Sequence, residues 1–395
     1  MTLRILHVTP YFRDAWGYGG IPRIASTLVR ELAHRGHAVT VCTTDAADAG
    51  TRSAAPATGS TETGAVDVRI FPNLSNTLAY HQQLFLPRGL SAFLSAHAAR
   101  FDVAHLHACR NLPVSIASRY LRRAGIPYVL APNGTALRIE RRRAAKWVYD
   151  RVIGRQDLDA AACVIAVSEA ERRQLEEMGV RQDKIRLLPN PVDLDEHRQL
   201  PRAGAFRAAY GLGSSRVVLY LGKLTPRKGV DVLLRAFGSG LASDVRLVIA
   251  GNDMGTRQSL ERLAGQSGLQ DRVLFTGLLQ GVARLEALAD ADVLVYPSSD
   301  EVFGLVPLEA LLTGTPVIVS DDSGCGELIA QMGGGLLTPL GDPGALAAAI
   351  RRVLAAPDEW RARALTAAGL VRQRYGGSTV AAKLDGLYHD VLAAR

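Results

Sequence analysis

The sequence predicts an α/β protein of two doubly wound domains, each a parallel sheet covered by helices on both faces. Three observations carry this. Short β-rich runs alternate with helical patterns almost without interruption, and such alternation builds parallel sheets. The alternation comes as two series, separated by PNPVDLDEHRQLPRAGAF at residues 189–206, where Pro189, Pro191 and Pro201 interrupt both periodicities. The chain of 395 residues is also too long for one hydrophobic core and suits two domains of ordinary size.

In chain order, the first series places strands at residues 3–9, 38–43, 66–71, 103–106, 128–131, 164–167 and 185–188. The second places them at 217–221, 245–250, 273–275, 293–296 and 317–320. Each is a short apolar run bounded by turn residues, as a strand buried on both faces requires. Helices lie between them, among others at 21–35, 114–123, 169–178, 229–237 and 345–355. Residues 46–65, AADAGTRSAAPATGSTETGA, are small, polar and aperiodic, and read as a mobile loop inside the first domain.

Composition frames the function. With 48% hydrophobic and 21% charged residues the chain has the make-up of a soluble globular protein. No apolar run approaches the ~18 residues of a membrane span, and the chain passes from Met1 directly into a strand without a signal peptide. A cytoplasmic protein is expected. Cys42, Cys109, Cys163 and Cys325 lack C-x-x-C spacing, so they read as reduced and buried, with neither a disulfide framework nor a zinc site. The net charge of +8 is uneven: residues 1–195 carry 25 basic against 18 acidic residues, and residues 196–395 carry 21 against 20. Much of the excess lies at residues 136–157, with Arg141, Arg142, Arg143, Lys146 and Trp147. That stretch reads either as a solvated helix or as one that meets an anionic membrane or an anionic acceptor. No nucleic-acid fold signature accompanies the charge, so nucleic acid is not an expected partner.

In open parallel sheets ligands sit at the carboxyl ends of strands, and the chemistry-bearing residues of this chain fall there repeatedly. The richest stretch is YPSSDEVFGLVPLEALLTGTPVIVS, residues 296–320. Pro307 suits the first helical position, which makes Val306 the N-cap; it has no side-chain oxygen for the free N–H groups of the first turn. An open cap with the positive end of the helix dipole receives an anion, and Gly304 lets the backbone come close. Glu309 falls at the third helical position and Glu301 in the preceding loop; the plainer alternative is that both acids complement the helix dipole. Gly222, Lys223, Arg227 and Lys228 follow one strand, and three cations within six residues suit phosphate. Gly251 and Gly277 follow two others. In the first half, Gly19 and Gly20 precede a helix, as a tight turn or as a close approach to ligand; His107 follows a strand beside His105, where a structural role is the simpler reading; Asn133 follows a third. G-x-G-x-x-G and G-x-x-x-x-G-K-[ST] are absent, which removes the main support for a dinucleotide oxidoreductase or a P-loop ATPase. Two clusters of strand ends in two domains suggest one cleft between them.

The ordered set of segments resembles the retaining family 4 glycosyltransferases (glycosyl transferases group 1) of GT-B fold. It comprises YGGIPRIASTLVRELAHRGHAVTVCT, HLHACRNLP, VSEAERRQL, LPNPVD, LGKLTPRKGVDVLL, RVLFTGLL, SDEVFGLVPLEALLTGTPVIVSD and GLLTPLGDPGALAAAI. The resemblance implies two Rossmann-like domains facing a central cleft. An acceptor-binding domain spans residues 1–195 and a nucleotide-sugar domain 196–375, with a helix at 376–395 packing back on the first. It implies that Glu309 binds the ribose hydroxyls and Glu301 the hydroxyls of the transferred sugar. Lys228, with Lys223 or Arg227, would hold the departing diphosphate, together with the backbone N–H groups of Phe303, Gly304, Leu305 and Val306. The backbone at 273–277 would receive the base, and His107 with Gly19 and Gly20 would close over sugar and phosphate from the first domain. It implies transfer from a nucleoside-diphosphate sugar with retention and no bound metal or other cofactor.

Three departures stand out: Lys223 where the family often has Arg, Val302 where Gly commonly follows the first acid, and Pro191 for a frequent Gly. The segment at residues 127–171 is similar to enzymes that build cell-envelope polysaccharide on lipid carriers. The expected acceptor is therefore a glycan, a lipid-linked glycan or a small molecule, met at the inner face of the cell membrane. Two other readings stay open: a nucleotide-sugar epimerase of the same fold, with His107 as base, and an inactive sugar-nucleotide or membrane-binding protein.

Overall fold

The computed structural model describes residues 2–13, 15–48, 50–53, 66–136 and 154–394. They form two compact units, one of residues 1–191 with 377–395 and one of residues 192–376.

The first unit holds β1 (Arg4–Val8), β2 (Ala38–Thr44), β3 (Val66–Phe71), β4 (Val103–His107), β5 (Tyr128–Ala131), β6 (Cys163–Ala166) and β7 (Ile185–Leu187). They pair in the order β3-β2-β1-β4-β5-β6-β7, with every pairing parallel. The second holds β8 (Arg216–Leu221), β9 (Val245–Ala250), β10 (Val273–Gly277), β11 (Val293–Tyr296), β12 (Val317–Ser320) and β13 (Gly335–Thr338), in the order β10-β9-β8-β11-β12-β13, again all parallel. The strand order reverses between β1 and β4 in one sheet and between β8 and β11 in the other. These are the topological switch points of doubly wound folds, where ligands bind beyond the strand ends.

The central strands are buried along almost their whole length. Val217, Val218, Leu219 and Tyr220 of β8 and all four residues of β11 are buried, which is why they read as unbroken apolar runs rather than alternating ones. The short strand β13 is absent from the sequence reading: Gly335 opens it, and only Thr338 of its four residues is buried, so its apolar signal is short. None of the four cysteines is in a disulfide, but Cys109 is partly exposed, against the expectation that all four are buried. The basic segment 137–153 and most of the loop read at 46–65 lie outside the described residues.

The C-terminal helix Gly377–Ala393 belongs to the first unit. Tyr388 on it is fully buried and its hydroxyl lies 2.8 Å from Nδ1 of His105, while Arg35 donates to Asp385 at 3.0 Å. Among the described residues, no helix is long and apolar enough to cross a membrane.

Candidate active site

The second unit concentrates its polar chemistry at its switch point. The loop after β8 carries Lys223, Arg227 and Lys228, the last two in a single 3-10 turn, Pro226–Lys228. The loop after the neighbouring β11 carries Glu301. Hydrogen bonds hold the two loops together: Ser299 N–H donates to the Arg227 carbonyl at 2.8 Å. Gly229 ends the turn at φ 64°, and a Cβ there would stand 2.1 Å from the Pro297 carbonyl oxygen, so only glycine permits this approach.

Within this junction Lys228 Nζ is paired with the Glu301 carboxylate and lies 2.7 Å from the Tyr296 hydroxyl. The hydroxyl in turn is 3.1 Å from Glu301 Oε2, with Ser298 Oγ at 3.4 Å. The ammonium also lies over the Tyr296 ring, 4.8 Å from its centroid. Burial pushes the Glu301 carboxyl up, but the charge and hydrogen bond of Lys228, with Arg227 and Tyr296 adding, outweigh it and leave the pKa below the ordinary value. Burial raises the Tyr296 phenol, and Glu301 raises it further, so Tyr296 keeps its proton and donates. Tyr220 stacks on Tyr296 at 6.2 Å, and its hydroxyl donates to the Lys223 carbonyl at 2.8 Å.

After Glu301 the chain turns into the helix Leu305–Leu312. The expected start at Pro307 is corrected: Gly304 is the N-cap, at φ 79° and ψ 74°, so Val306 and Pro307 lie inside the first turn and Glu309 falls two residues further in than the third position. The reason is local, since a left-handed glycine reverses the chain before proline is reached. No side chain caps the helix, so its first N–H groups have the open end expected of an anion site. A Cβ at Gly304 would stand 2.5 Å from Cys325 Sγ. Ser323 Oγ accepts from the Glu301 N–H at 3.0 Å, and Cys325 N–H donates to the Glu301 carbonyl at 2.9 Å, which ties this loop to the helix Gly324–Met332. Val302 and Phe303 are buried, whereas Leu305 and Val306 are partly exposed.

Glu309 is 1% exposed and lies 2.5 Å from a terminal nitrogen of Arg284. Sequence reasoning missed Arg284 and the roles of Tyr220 and Tyr296. A signal for Arg284 exists, because it occupies the same helix face as the buried Leu285, Ala287 and Leu288. The predicted glycines mark three adjacent strand ends: Gly222 N–H donates to Ala250 O after β8, and Gly251 N–H donates to Gly277 O at 2.8 Å.

In the first unit, Gly19 is the N-cap, at φ 93°, of the helix Gly20–His34, which has no side-chain cap. Asn133 sits in the turn after β5 at φ 52°, and the adjacent Gly134 N–H donates to Glu171, a carboxyl that burial pushes up to about 7. For His107 the packing agrees with the simpler, structural reading. It is the last residue of β4 and fully buried, with Nε2 3.0 Å from His7 Nδ1 and its ring stacked on His105 at 4.2 Å and 8°. Its side chain therefore packs within a histidine cluster on the sheet instead of following the strand into a loop. Burial lowers all three histidines, His107 to about 3. His7, His105 and His107 have ligand atoms within 4.8 Å of one another, yet face-to-face rings set the in-plane lone pairs of His105 and His107 side by side, away from a common point, which is poor geometry for one ion. Arg141, Arg142, Arg143, Lys146 and Trp147 lie outside the described residues.

Two doubly wound units, the second with an acid–lysine–tyrosine cluster beside an uncapped helix at its switch point, have the architecture of the GT-B class. The family "Glycosyl transferases group 1" matches residues 205–368, and "Glycosyltransferase Family 4" matches residues 18–196. The D-inositol 3-phosphate glycosyltransferase of Acidothermus cellulolyticus is 31% identical over 400 residues, covering 95% of this chain and 87% of the relative. The phosphatidyl-myo-inositol mannosyltransferase of Mycobacterium leprae is 33% identical over 301 residues, covering 74% of each chain. Among solved structures, the sucrose-phosphate synthase of Thermosynechococcus elongatus superposes with TM-score 0.79 at 24% identity over the whole of both chains. HepE of Anabaena superposes with TM-score 0.76 at 19% identity, over 98% of this chain and 100% of that one. The chain belongs to the group 1 glycosyltransferases, family 4, and is a glycosyltransferase of GT-B fold.

Proposed function

We propose that this glycosyltransferase moves a sugar from a nucleoside-diphosphate sugar to an acceptor hydroxyl with retained configuration and without a metal ion. The observation that carries this reading is the Lys228–Glu301–Tyr296 cluster beside the uncapped helix Leu305–Leu312. An ammonium has three N–H donors. Two serve Tyr296 and Glu301, and the third serves an oxygen of the diphosphate. The N–H groups of residues 303–306, with Lys223 and Arg227, take further phosphate oxygens, and Glu301 accepts from hydroxyls of the sugar. Glu309 accepts from the ribose.

The anomeric C–O bond to the diphosphate breaks, and its electron pair leaves with the phosphate. The acceptor oxygen bonds to the same face, and its proton passes to the departing phosphate oxygen. Fixed positive charge stabilises the growing negative charge of that oxygen. The acceptor is a glycan or lipid-linked glycan of the cell envelope. Two relatives are named for inositol-phosphate and phosphatidylinositol acceptors, and the first half of the chain carries the basic excess.

Incubation with single UDP-, GDP- and ADP-sugars, with and without acceptors, tests the reading through nucleotide release and the anomeric configuration of the product. Acceptor-dependent release with retention is expected. Inversion, or a sugar isomer formed without transfer, overturns it. Flotation with anionic vesicles at low salt tests the membrane acceptor, which fails if the protein does not bind.

A further inference from the structure

Glu309 does not stand alone. Arg284, 4% exposed, reaches Glu309 Oε2 with one terminal nitrogen and Glu196 Oε2 with the other, each at 2.5 Å. Three separate elements meet at this guanidinium. The helix Gly281–Asp290 supplies Arg284, the helix Leu305–Leu312 supplies Glu309, and the 3-10 turn Asp195–His197 supplies Glu196, just after the chain enters its second unit at residue 192. A guanidinium is planar and its donors diverge in fixed directions. Held at both ends, it cannot turn without losing one partner, and it therefore fixes the plane of the carboxylate it binds.

A cation on the apolar face of a helix, beside Leu285 and Leu288, is costly to bury, and apolar side chains of similar volume often stabilise such a site equally well. A requirement of folding alone is therefore a weak account of the charge. Recognition supplies a stronger one. Glu309 is almost wholly buried, so only a narrow edge of the carboxylate can meet a ligand, and its direction decides whether hydroxyls are bound. An unbalanced carboxylate close to a diphosphate would also repel it.

We propose that Arg284 is a positioning residue for nucleotide recognition: it balances and orients the Glu309 carboxylate toward the ribose hydroxyls, and is itself held by Glu196. The proposal rests on the assignment of Glu309 to ribose. It makes the choice of ribose over deoxyribose depend on a residue in the segment that opens the second unit.

Calorimetric binding of UDP, GDP and ADP, each against its 2′-deoxy counterpart, tests it on the full-length protein. The wild type should bind its preferred nucleotide at least about tenfold tighter than the deoxy form, the worth of a hydrogen bond to a charged group. Arg284→Lys, which offers a point charge in place of a fork, should reduce that ratio to about threefold or less and raise KM for the donor more than it lowers kcat. Glu196→Gln should lower the ratio part-way. A folded Arg284→Lys with the wild-type ratio and KM overturns the proposal while leaving Glu309 on the ribose. If Arg284→Lys does not fold, Glu196→Gln, which loosens Arg284 and leaves Glu309 in place, decides: a lowered ratio supports the proposal and a wild-type ratio overturns it. A Glu309→Gln protein that keeps the ratio, or a wild type without one, overturns the ribose assignment and this inference with it.

Discussion

The Tyr296 hydroxyl lies 2.7 Å from Lys228 Nζ and joins that ammonium to the Glu301 carboxylate in one hydrogen-bonded group. The tyrosine ends β11 and the lysine lies beyond β8, so the contact spans the switch point of the sheet. Tyr296→Phe keeps the ring under the ammonium and removes only the hydroxyl. Turnover should fall roughly tenfold to a hundredfold, the worth of a hydrogen bond to a charged group. Steady-state kinetics check this, with unchanged circular dichroism as the control for folding; wild-type turnover would exclude the hydroxyl from the transition state.

Lys228→Ala and Glu309→Ala should each lower turnover on the order of 10²-fold or more, as loss of one charged contact at a transition state does. Breaking the buried Arg284–Glu309 pair should also lower stability, by less than the about 3–5 kcal/mol of a wholly stranded charge because Arg284 keeps its pairing with Glu196. Lys228→Ala leaves Glu301 less deeply enclosed and should cost less. Denaturant titration separates these effects, and wild-type turnover in Glu309→Ala would remove it from the donor site.

EDTA should leave the initial rate unchanged, because the proposed mechanism places on Lys228 and the helix N-terminus the charge a metal would otherwise supply. A rate that falls with chelator and returns with a divalent cation would transfer that role to an ion.

Gly304→Ala should destabilise the second unit by about 1–3 kcal/mol and lower activity, since the new methyl group meets Cys325 Sγ and the backbone holds φ 79°. Adding Cys325→Ala should relieve the contact but not the backbone strain, so recovery of the melting temperature should be partial. Complete recovery would show that the strain is negligible.

Acid should weaken the first unit. His7, His105 and His107 are neutral in the fold, with pKa values well below 6.5, whereas in the unfolded chain they take up protons near 6.5. Below that pH the unfolded state binds more protons, and each histidine removes up to about 1.4 kcal/mol per pH unit. Glu171 works in the opposite direction. Its carboxyl is raised to about 7, so it weakens the fold as pH rises from about 4.5 to 7, and it offsets one of the three histidines on acidification. Urea titrations from pH 7.5 to 5 should show falling stability, and His105→Phe should flatten the slope. A pH-independent midpoint would contradict neutral histidines.

The two parallel sheets were legible because their central strands are buried on both faces and therefore read as apolar runs between helical patterns. The proposed donor residues were legible because ligands in this fold bind beyond strand ends at the switch point, which singled out the cations at 223–228 and the acid at 301, with Glu309 in the helix that follows. The first element of the helix at 305–312 was not, because Pro307 is an equally good signal and only the left-handed turn at Gly304 shows where the chain reverses.

What the sequence determined by itself is local chemistry: which residues bear charge, which glycines follow strands, and which family the ordered motifs resemble. Tertiary structure decided which charges meet. Arg284 is 25 residues from Glu309 and Glu196 is 88 from Arg284, and nothing in their spacing brings them together. His107 reads as a strand-end candidate from its neighbours, yet the pairing of β1 with β4 sets it against His7 and buries it. Local pattern follows from backbone geometry over a few residues, whereas partners and burial depend on how strands far apart in the chain are ordered in the sheet.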